Sequence, residues 1–214
     1  MTDATDATPD AFPTFTYYPD PIGGGAFHET QDPCPCCGEV RGWGYVFGPY
    51  CPGESPENLC PWCIADGSAS EKYGTDGHKA DFTGDLFEIR RDDDGRITEV
   101  LNPFITDLTV PQEQWEELSC RTPRFLTWQE PQWLACCSTP AQYLGQPTGA
   151  ELKALDDLDV PGGVLDSLRA TSHWGADGTP VEARVDHVGP DASEVVYLFR
   201  CSGCGRHLAY SDND

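Results

Sequence analysis

Two Cys-x-x-Cys pairs lie close together in the first third of the chain and constrain its folding more than any other feature. The first pair is Cys34 and Cys37, with Gly38 directly after it, and the second is Cys60 and Cys63. A structural zinc ion takes four ligands at the corners of a tetrahedron, with sulfur about 2.3 Å away, and each Cys-x-x-Cys turn supplies one edge. The loop between the pairs is slightly longer than in common four-cysteine sites, but the cost of loop closure grows slowly with length. The sequence therefore predicts a structural zinc site formed by these four thiolates.

Two alternatives to zinc remain for these cysteines. They could be free thiols in the core, where cysteine behaves as a small hydrophobic residue, although the paired spacing argues against this. The segment Cys60-Pro61-Trp62-Cys63 also has the Cys-Pro-x-Cys form of disulfide oxidoreductases, in which a helix N-terminus lowers the pKa of the first thiol. Such a motif should follow a buried apolar strand, whereas residues 53–59 read GESPENL. Zinc binding is therefore preferred over redox chemistry.

A third Cys-x-x-Cys turn, Cys201 to Cys204, lies near the C-terminus and has no obvious partner of the same form. Because one pair fills half of a zinc coordination shell, the other ligands must come from elsewhere, and Cys136 and Cys137 are the best candidates for a second zinc site. Adjacent cysteines point in different directions, so we expect a helix end or a bulge to bring both to one ion. Residues that could replace one of them are His207 and Cys120. The alternative is that the knuckle glycines only serve a tight hairpin while Cys136 and Cys137 pack inside.

Charge limits the class of partner. The 214-residue chain carries a net charge of −23. Non-specific nucleic-acid binding relies on Lys and Arg side chains that displace counterions from phosphates, so we expect no binding to nucleic acid. A basic protein partner, such as a basic toxin, suits this charge better. The alternative is that the acidity serves only solubility or a salty cytoplasm.

The N-terminal segment bears on the compartment. It reads MTDATDATPD, without the basic start or apolar run of a secretory signal, and no later stretch approaches the ~20 apolar residues of a spanning helix. We therefore expect a cytoplasmic protein that does not insert into a membrane. In that reducing compartment the eleven cysteines suit metal binding better than disulfides. The sequence leaves the oligomeric state open.

The remaining pattern mixes short strands and short helices. Strands are predicted over residues 86–91 and 96–101, joined by Asp92-Asp93-Asp94-Gly95, and over 195–199 and 208–210, on either side of the last cysteine turn. Helices are predicted after Cys60, over 112–118 behind Pro111, over 128–137, and from a Thr148–Glu151 capping box through Leu158. The predicted fold class is α+β: a small mixed domain with zinc-knuckle or zinc-ribbon-like four-cysteine elements, short β-hairpins and several helices.

Longer motifs surround the cysteines. The N-terminal ones are Phe12-Pro13-x-Phe15-x-Tyr17-x-Pro19-Asp20-Pro21, Gly25-Ala26-Phe27 and Cys60-Pro61-Trp62-Cys63-Ile64-Ala65-Asp66-Gly67-Ser68-Ala69. The later ones are Arg121-Thr122-Pro123, Trp128-Gln129, Trp133-Leu134 and Phe199-Arg200-Cys201-x-x-Cys204-Gly205. Together these motifs resemble the bacterial CbrC family, which is named for an association with colicin tolerance. The likeness extends over residues 12–211.

The resemblance implies that the paired cysteines are metal ligands and that residues 12–211 form one domain. Its parts would be an N-terminal zinc module over about 12–80 and a C-terminal part over about 108–211, followed by a tail at 212–214. Residues 1–11 are mostly Thr, Asp and Ala with little to bury, so a disordered lead is expected there. The family pattern after the Trp-Leu pair is similar to His-Cys-x-Asp-x-Cys, whereas this chain has Cys136-Cys137-Ser138-Thr139-Pro140-Ala141. The missing aspartate and cysteine argue against a reactive role for this segment, while Cys137 and Cys136 can still bind metal.

These observations favour a non-enzymatic, zinc-stabilised binding protein that contributes to bacteriocin tolerance or an envelope stress response. The alternative is a zinc- or thiol-dependent enzyme, redox or hydrolytic, with Cys136, Cys137, Cys201 and Cys204 as its reactive cluster. No histidine stands in the spacing of a zinc enzyme or a nucleophile pair. The two classes differ at the metal, because a structural zinc is closed by four protein ligands and a catalytic zinc keeps an open position.

Overall fold

A computed structural model describes residues 11–102, 108–172, 174–176 and 178–213. The lead predicted at 1–11 lies outside the described residues except for Ala11. Within the described part the chain forms six helices and nine strands, which confirms the predicted α+β class. The strands are β1 (Phe27–Glu29), β2 (Trp43–Tyr45), β3 (Asp85–Arg91), β4 (Ile97–Leu101), β5 (Gln132–Cys136), β6 (Thr139–Pro140), β7 (Gln142–Gly145), β8 (Glu194–Arg200) and β9 (His207–Asn213). The helices are α1 (Pro61–Ala65), α2 (Ser68–Tyr73), α3 (Gln112–Arg121), α4 (Gly149–Lys153), α5 (Val164–Ser172) and α6 (Val181–Val185).

The described strands form three small sheets. Their orders are β1-β2, β4-β3-β5-β6 and β7-β8-β9. Neighbouring strands are antiparallel except for β3 and β5, which are parallel, with Leu86 opposite Trp133. The two predicted hairpins are confirmed as β3–β4 and β8–β9. In the second of them the cysteine turn lies at the tip, as the sequence predicted.

The sheet β7-β8-β9 separates two buried clusters of apolar side chains. Successive side chains of a strand point to opposite faces. Val195, Tyr197 and Phe199 of β8 therefore enter the larger cluster, whereas Val196 and Leu198 enter the smaller one, which is completed by helices α4–α6. An uninterrupted apolar run is thus buried on both faces of one strand.

Helix α5 covers the outer edge of β9 with side-chain hydroxyls. Ser167 Oγ donates to the carbonyl of Ala209 at 2.8 Å and accepts from its N–H at 3.0 Å. The N–H of Ser211 donates to Ser172 Oγ at 2.7 Å. These bonds satisfy backbone groups that an edge strand otherwise leaves open to pairing with another chain. Strand β9 continues to Asn213, two residues beyond the predicted domain end.

The prediction of a helix over 128–137 is wrong, because this segment contains β5. Trp133, Leu134, Ala135 and Cys136 are all buried, in a strand that pairs with β3 on one side and β6 on the other. A short apolar run of this kind fits a buried strand as well as a buried helix, so periodicity alone cannot separate them. Pairing with the distant strand β3, and with β6 just beyond the turn, decided the outcome.

The other predicted helices are confirmed with changed ends. Helix α3 begins after Pro111, and the Thr148–Glu151 capping box is present with both of its hydrogen bonds. Helix α4 ends at Lys153 instead of continuing through Leu158. The helical region after Cys60 is split into α1 and α2 at Gly67, whose φ of 83° lies in the left-handed region that glycine adopts readily. The larger buried cluster contains residues from Phe15 to Tyr210 and so draws on both predicted parts of the domain.

Candidate metal centres

The first cysteine turn, from Cys34 to Gly38, has the hydrogen bonds of a zinc knuckle. The N–H of Gly38 donates to the carbonyl of Cys34 at 2.7 Å, and the N–H of Cys34 donates to the carbonyl of Glu39 at 2.9 Å. Gly38 has a φ of 80°, which an L-residue adopts only with strain. The turn places Cys34 and Cys37 on one side of a point where an ion would lie.

The second half of this cluster lies at the start of helix α1. Cys60 precedes the helix, Pro61 occupies its first position, and Cys63 follows within the first turn. Residues three apart on a helix share a face, so both thiols point the same way. The structure brings these two sulfurs to those of the first turn, and all four Sγ atoms lie within 4.8 Å of one another.

Backbone donors surround the Cys34 sulfur. The N–H of Cys60 lies 3.2 Å from Cys34 Sγ, and the N–H of Cys36 lies 3.4 Å from it. Burial raises the pKa of Cys34, but these N–H groups outweigh that effect and leave the pKa below its ordinary value. Burial raises the pKa of Cys60 to about 12 and also raises the pKa of Cys63. A bound cation would reverse these upward shifts by favouring the thiolates.

The C-terminal turn from Cys201 to Arg206 repeats the knuckle pattern. The N–H of Gly205 donates to the carbonyl of Cys201 at 2.9 Å, and the N–H of Cys201 donates to the carbonyl of Arg206 at 2.9 Å. Gly205 has a φ of 74°, in the same left-handed region as its counterpart in the first knuckle. The glycine after the second cysteine therefore has the same role in both turns.

The ligands opposite this knuckle come from the tight turn between β5 and β6. Cys136 pairs with Thr139, so Cys137 and Ser138 are the two turn residues, and each has a φ of 56°. Two left-handed residues in succession define the hairpin turn that follows the natural twist of its strands. The sequence predicted a helix end or a bulge at this point. The structure has a two-residue hairpin turn there instead.

The structure brings the four predicted ligands of the second cluster together. The Sγ atoms of Cys136, Cys137, Cys201 and Cys204 all lie within 4.8 Å of one another. Gly203 permits the close approach, because a β-carbon there would lie 3.0 Å from the β-carbon of Cys137. Cys136 and Cys201 are buried, whereas Cys137 and Cys204 are exposed. Two segments more than sixty residues apart therefore meet at this cluster.

The sulfur–sulfur distances suit a tetrahedral ion. Sulfurs at 2.3 Å from a central zinc stand about 3.8 Å apart. Cys37 Sγ lies 3.9 Å from Cys60 Sγ, Cys136 Sγ lies 3.7 Å from Cys137 Sγ, and Cys136 Sγ lies 3.9 Å from Cys204 Sγ. Both donor sets therefore fit a four-coordinate metal that prefers sulfur.

A family model described as Uncharacterised protein family (UPF0167) matches residues 12–213. The chain belongs to the UPF0167 family. It is 34% identical over 209 residues to UPF0167 proteins of Mycobacterium bovis and Mycobacterium tuberculosis, with 96% of each chain covered. A UPF0167 protein of Pseudomonas aeruginosa is 30% identical over 195 residues, which cover 91% of this chain and 93% of the relative. No solved structure matches the chain significantly.

The two replacement ligands considered for this UPF0167 protein lie outside the second cluster. His207 Nδ1 is 2.8 Å from Asp157 Oδ1, so its ring is held by that carboxylate. Cys120 Sγ lies 3.5 Å from Ser119 Oγ in a buried position. Cys36 and Cys51 likewise belong to neither cluster.

A buried carboxyl group supports the second cluster, and no sequence motif pointed to it. Glu88 on β3 is 3% exposed, and its oxygens accept from the N–H of Thr109 at 2.6 Å and from Thr109 Oγ1 at 2.7 Å. Thr109 Oγ1 also lies 2.6 Å from Ser138 Oγ. Because Thr109 donates its hydroxyl hydrogen to Glu88, Ser138 is the donor of this second bond. The chain of hydroxyls anchors the left-handed turn that presents Cys137.

Two thiols of the second cluster, those of Cys137 and Cys201, have a pKa above that of free cysteine. Burial raises the pKa of Cys137 to about 11, with a further contribution from Cys201. A hydrogen bond with Cys136 and burial raise the pKa of Cys201. Metal binding here would therefore release protons.

None of the described helices combines the length and apolar character needed to cross a membrane.

Proposed function

We propose that this protein is a binding protein whose fold is held by two structural zinc ions, one at each four-cysteine cluster. The observation that carries the proposal is that the four sulfurs of each cluster all lie within 4.8 Å of one another. Thiolate sulfur suits zinc, whereas magnesium and calcium prefer oxygen ligands. Four thiolates also complete the coordination shell, as in structural sites. They leave no open coordination position on the metal, which a zinc enzyme would need.

Zinc would stabilise contacts that the chain otherwise makes at high entropic cost. The first cluster joins the turn at Cys34 to the start of helix α1, across a segment whose only strand is β2, and the second joins the β5–β6 turn to the β8–β9 turn. Because such sites do not exist in an unfolded chain, the free energy of metal binding becomes folding free energy.

We further propose that the protein acts in the cytoplasm on a basic protein partner. The net charge of −23 supports this, since complementary charge accelerates encounter and repels acidic competitors. A reducing compartment also suits eleven free cysteines. The resemblance to the CbrC family supports a setting of bacteriocin tolerance or envelope stress.

Metal analysis of the purified protein tests the zinc proposal. We expect two zinc ions per chain by mass spectrometry, and one in each of the variants Cys60→Ser and Cys201→Ser. Cys51→Ser is the matched control, because Cys51 lies in neither cluster, and it should keep both ions. Protein that carries iron, or that folds with no metal, would refute the proposal.

Bacteriocin challenge tests the proposed setting. Deletion of the gene from its host should lower survival in the presence of a basic bacteriocin, and the wild-type gene should restore it. Equal survival of deleted and parental strains, under both bacteriocin and envelope stress, would show that the setting is wrong without affecting the zinc proposal.

A further inference from the structure

The two cysteine clusters differ in how many of their sulfurs face solvent. In the first cluster Cys37 is exposed, whereas the other three ligands are buried. In the second cluster both Cys137 and Cys204 are exposed, and they belong to different segments of the chain. Oxidation of a cysteine follows its thiolate character and its exposure. The second cluster therefore presents two sulfurs to an oxidant, and the first presents one.

Two features give a small molecule access to the second cluster. Gly203 is exposed within the C-terminal knuckle, and a β-carbon there would lie 3.6 Å from Cys201 Sγ and 3.7 Å from Cys137 Sγ. The glycine therefore leaves these sulfurs less covered than any other residue would. Cys204 also lines a cavity of about 410 Å³. A hydroperoxide is only slightly larger than water, which occupies about 30 Å³ in the liquid, so it can enter this cavity.

The two exposed sulfurs are also close enough to react with each other. Cys137 Sγ and Cys204 Sγ lie within 4.8 Å of one another. Cys137 belongs to a two-residue turn and can move toward Cys204, whereas Cys136 is held in β5 by pairing with β3 and β6. A disulfide between the neighbours Cys136 and Cys137 is disfavoured, because adjacent Cα atoms are about 3.8 Å apart and disulfides usually need about 4.4–6.8 Å. Cys137 and Cys204 are thus the pair that oxidation would join.

We propose that the second cluster is an oxidant-sensitive site, at which a hydroperoxide joins Cys137 to Cys204 and releases the zinc ion. The thiolate of Cys204 attacks one oxygen of the hydroperoxide, the O–O bond breaks, and the departing oxygen takes up a proton and leaves as water or an alcohol. The thiolate of Cys137 then attacks the sulfenic sulfur of Cys204, and the hydroxyl group on that sulfur takes up a second proton and leaves as water. The two thiolates lose two electrons, which the hydroperoxide gains, and the zinc ion keeps two of its four ligands.

This step changes the metal content without separating the two turns. The disulfide would hold the β5–β6 turn to the β8–β9 turn in place of the metal, and a thiol reductant would restore the zinc site. Disulfides in the cytosol of mesophiles are usually transient and catalytic or redox-sensing, which suits such a role. The first cluster should keep its zinc, because the Cys34 sulfur is buried and lies near the N–H groups of Cys36 and Cys60. The inference rests on the proposed zinc sites and assigns a regulatory role to one of them.

Treatment of the zinc-loaded full-length protein with hydrogen peroxide tests the inference. Zinc release is followed with a chromogenic chelator, and disulfides are mapped by mass spectrometry after tryptic digestion without reduction. Cleavage after Arg200 separates the peptide of Cys204 from that of Cys137, and fragment ions identify the joined sulfurs. The first zinc ion should leave at least about fivefold faster than the second, together with a Cys137–Cys204 disulfide. Dithiothreitol and added zinc should restore two ions per chain.

Three variants separate this pair from general thiol oxidation. Cys204→His keeps a zinc ligand but removes the thiolate, so it should slow the first zinc release about fivefold or more. Cys37→His makes the same replacement at the exposed ligand of the first cluster, and should leave the first release unchanged. Cys51→Ser removes a thiol outside both clusters and should also leave it unchanged.

Equal rates of release from both clusters would overturn the inference, as would a disulfide within Cys201–Cys204 or zinc loss without any disulfide. It is also overturned if Cys37→His slows the first release as much as Cys204→His does. The wild-type disulfide map decides the matter even if Cys204→His binds no zinc. Zinc content is measured before peroxide is added, so a failure of the zinc proposal is seen separately from a failure of this inference.

Discussion

Replacement of Thr109 by valine removes one hydroxyl and keeps the shape of the side chain. That hydroxyl donates to buried Glu88 at 2.7 Å and accepts from Ser138 at 2.6 Å. Loss of a hydrogen bond to a charged group costs about 1.5–3 kcal/mol, and loss of a neutral one costs about 0.5–1.5 kcal/mol. Ser138 is exposed and can bond to water instead, so the second loss lies at the low end. We therefore expect the free energy of unfolding to fall by about 2–4 kcal/mol.

The same change should act on the second cluster and leave the first intact. Ser138 is the neighbour of Cys137 in the left-handed turn, so loss of its anchor loosens one of the four ligands. Loss of an outer-shell hydrogen bond lowers metal affinity by about 10–100-fold in comparable sites. Urea unfolding measures the stability, and titration with Co²⁺, whose visible spectrum reports tetrahedral thiolate coordination, measures each site.

Thr109→Ser provides the matched control because it keeps the hydroxyl and loses only a methyl group, which on an exposed residue contributes less than the ~0.8 kcal/mol of a buried one. It should retain the Co²⁺ affinity of the second site. If Thr109→Val unfolds within about 0.5 kcal/mol of the wild type and binds two Co²⁺ ions with unchanged affinity, the hydroxyl chain has no role in the cluster.

Three further predictions concern the knuckles, the metal and high pH. Chelation of the metal, or Cys60→Ser, should strongly reduce the near-UV circular dichroism, because about 10–16 kcal/mol of binding energy is folding energy in comparable small sites. An unchanged spectrum of Cys60→Ser, or an equal loss in the control Cys51→Ser, would contradict this. Gly205→Ala should cost about 1–2 kcal/mol of unfolding free energy, because its φ is 74°; a change below about 0.5 kcal/mol in urea unfolding would refute the strain. Burial raises the pKa of Tyr17 and of Tyr50 to about 12, above the value of about 10 in an unfolded chain, so the native state keeps protons that the unfolded state loses. Stability should therefore be complete below about pH 10 and fall as the pH rises from there toward 12, and flat urea midpoints with unshifted tyrosinate absorbance over that range would show that these tyrosines titrate freely.

Local features of the chain were readable from the sequence because each depends on a few neighbouring residues. The spacing of Cys34 and Cys37 and the glycine that follows define a knuckle by hydrogen bonds within six residues. The Thr148–Glu151 capping box likewise needs only four residues. Such elements form wherever their residue types occur in the right order, so the prediction was correct without knowledge of the fold.

The long-range contacts of those local features were harder to predict from the sequence. The pairing of the C-terminal knuckle with Cys136 and Cys137 was predicted from the need for four ligands, but the geometry that achieves it was not. The strand Gln132–Cys136 could be taken for a helix in sequence, because Trp133 to Cys136 form an unbroken apolar run without the alternation of a half-buried strand. Only the presence of β3 and β6 on either side selects the extended form and so places a left-handed turn at Cys137.

The sequence by itself determined the chemistry of this protein: six thiols in Cys-x-x-Cys spacing and an adjacent pair, a net charge of −23 and an α+β pattern. Tertiary structure alone decided that Glu88 supports the second cluster through Thr109 and Ser138, and that the hydroxyl of Tyr18 is buried beneath Gly24. The physical reason is the distance along the chain over which each interaction acts. Ligand spacing and turn residues act through bonds between near neighbours, whereas burial and cavity shape depend on which distant segments pack together.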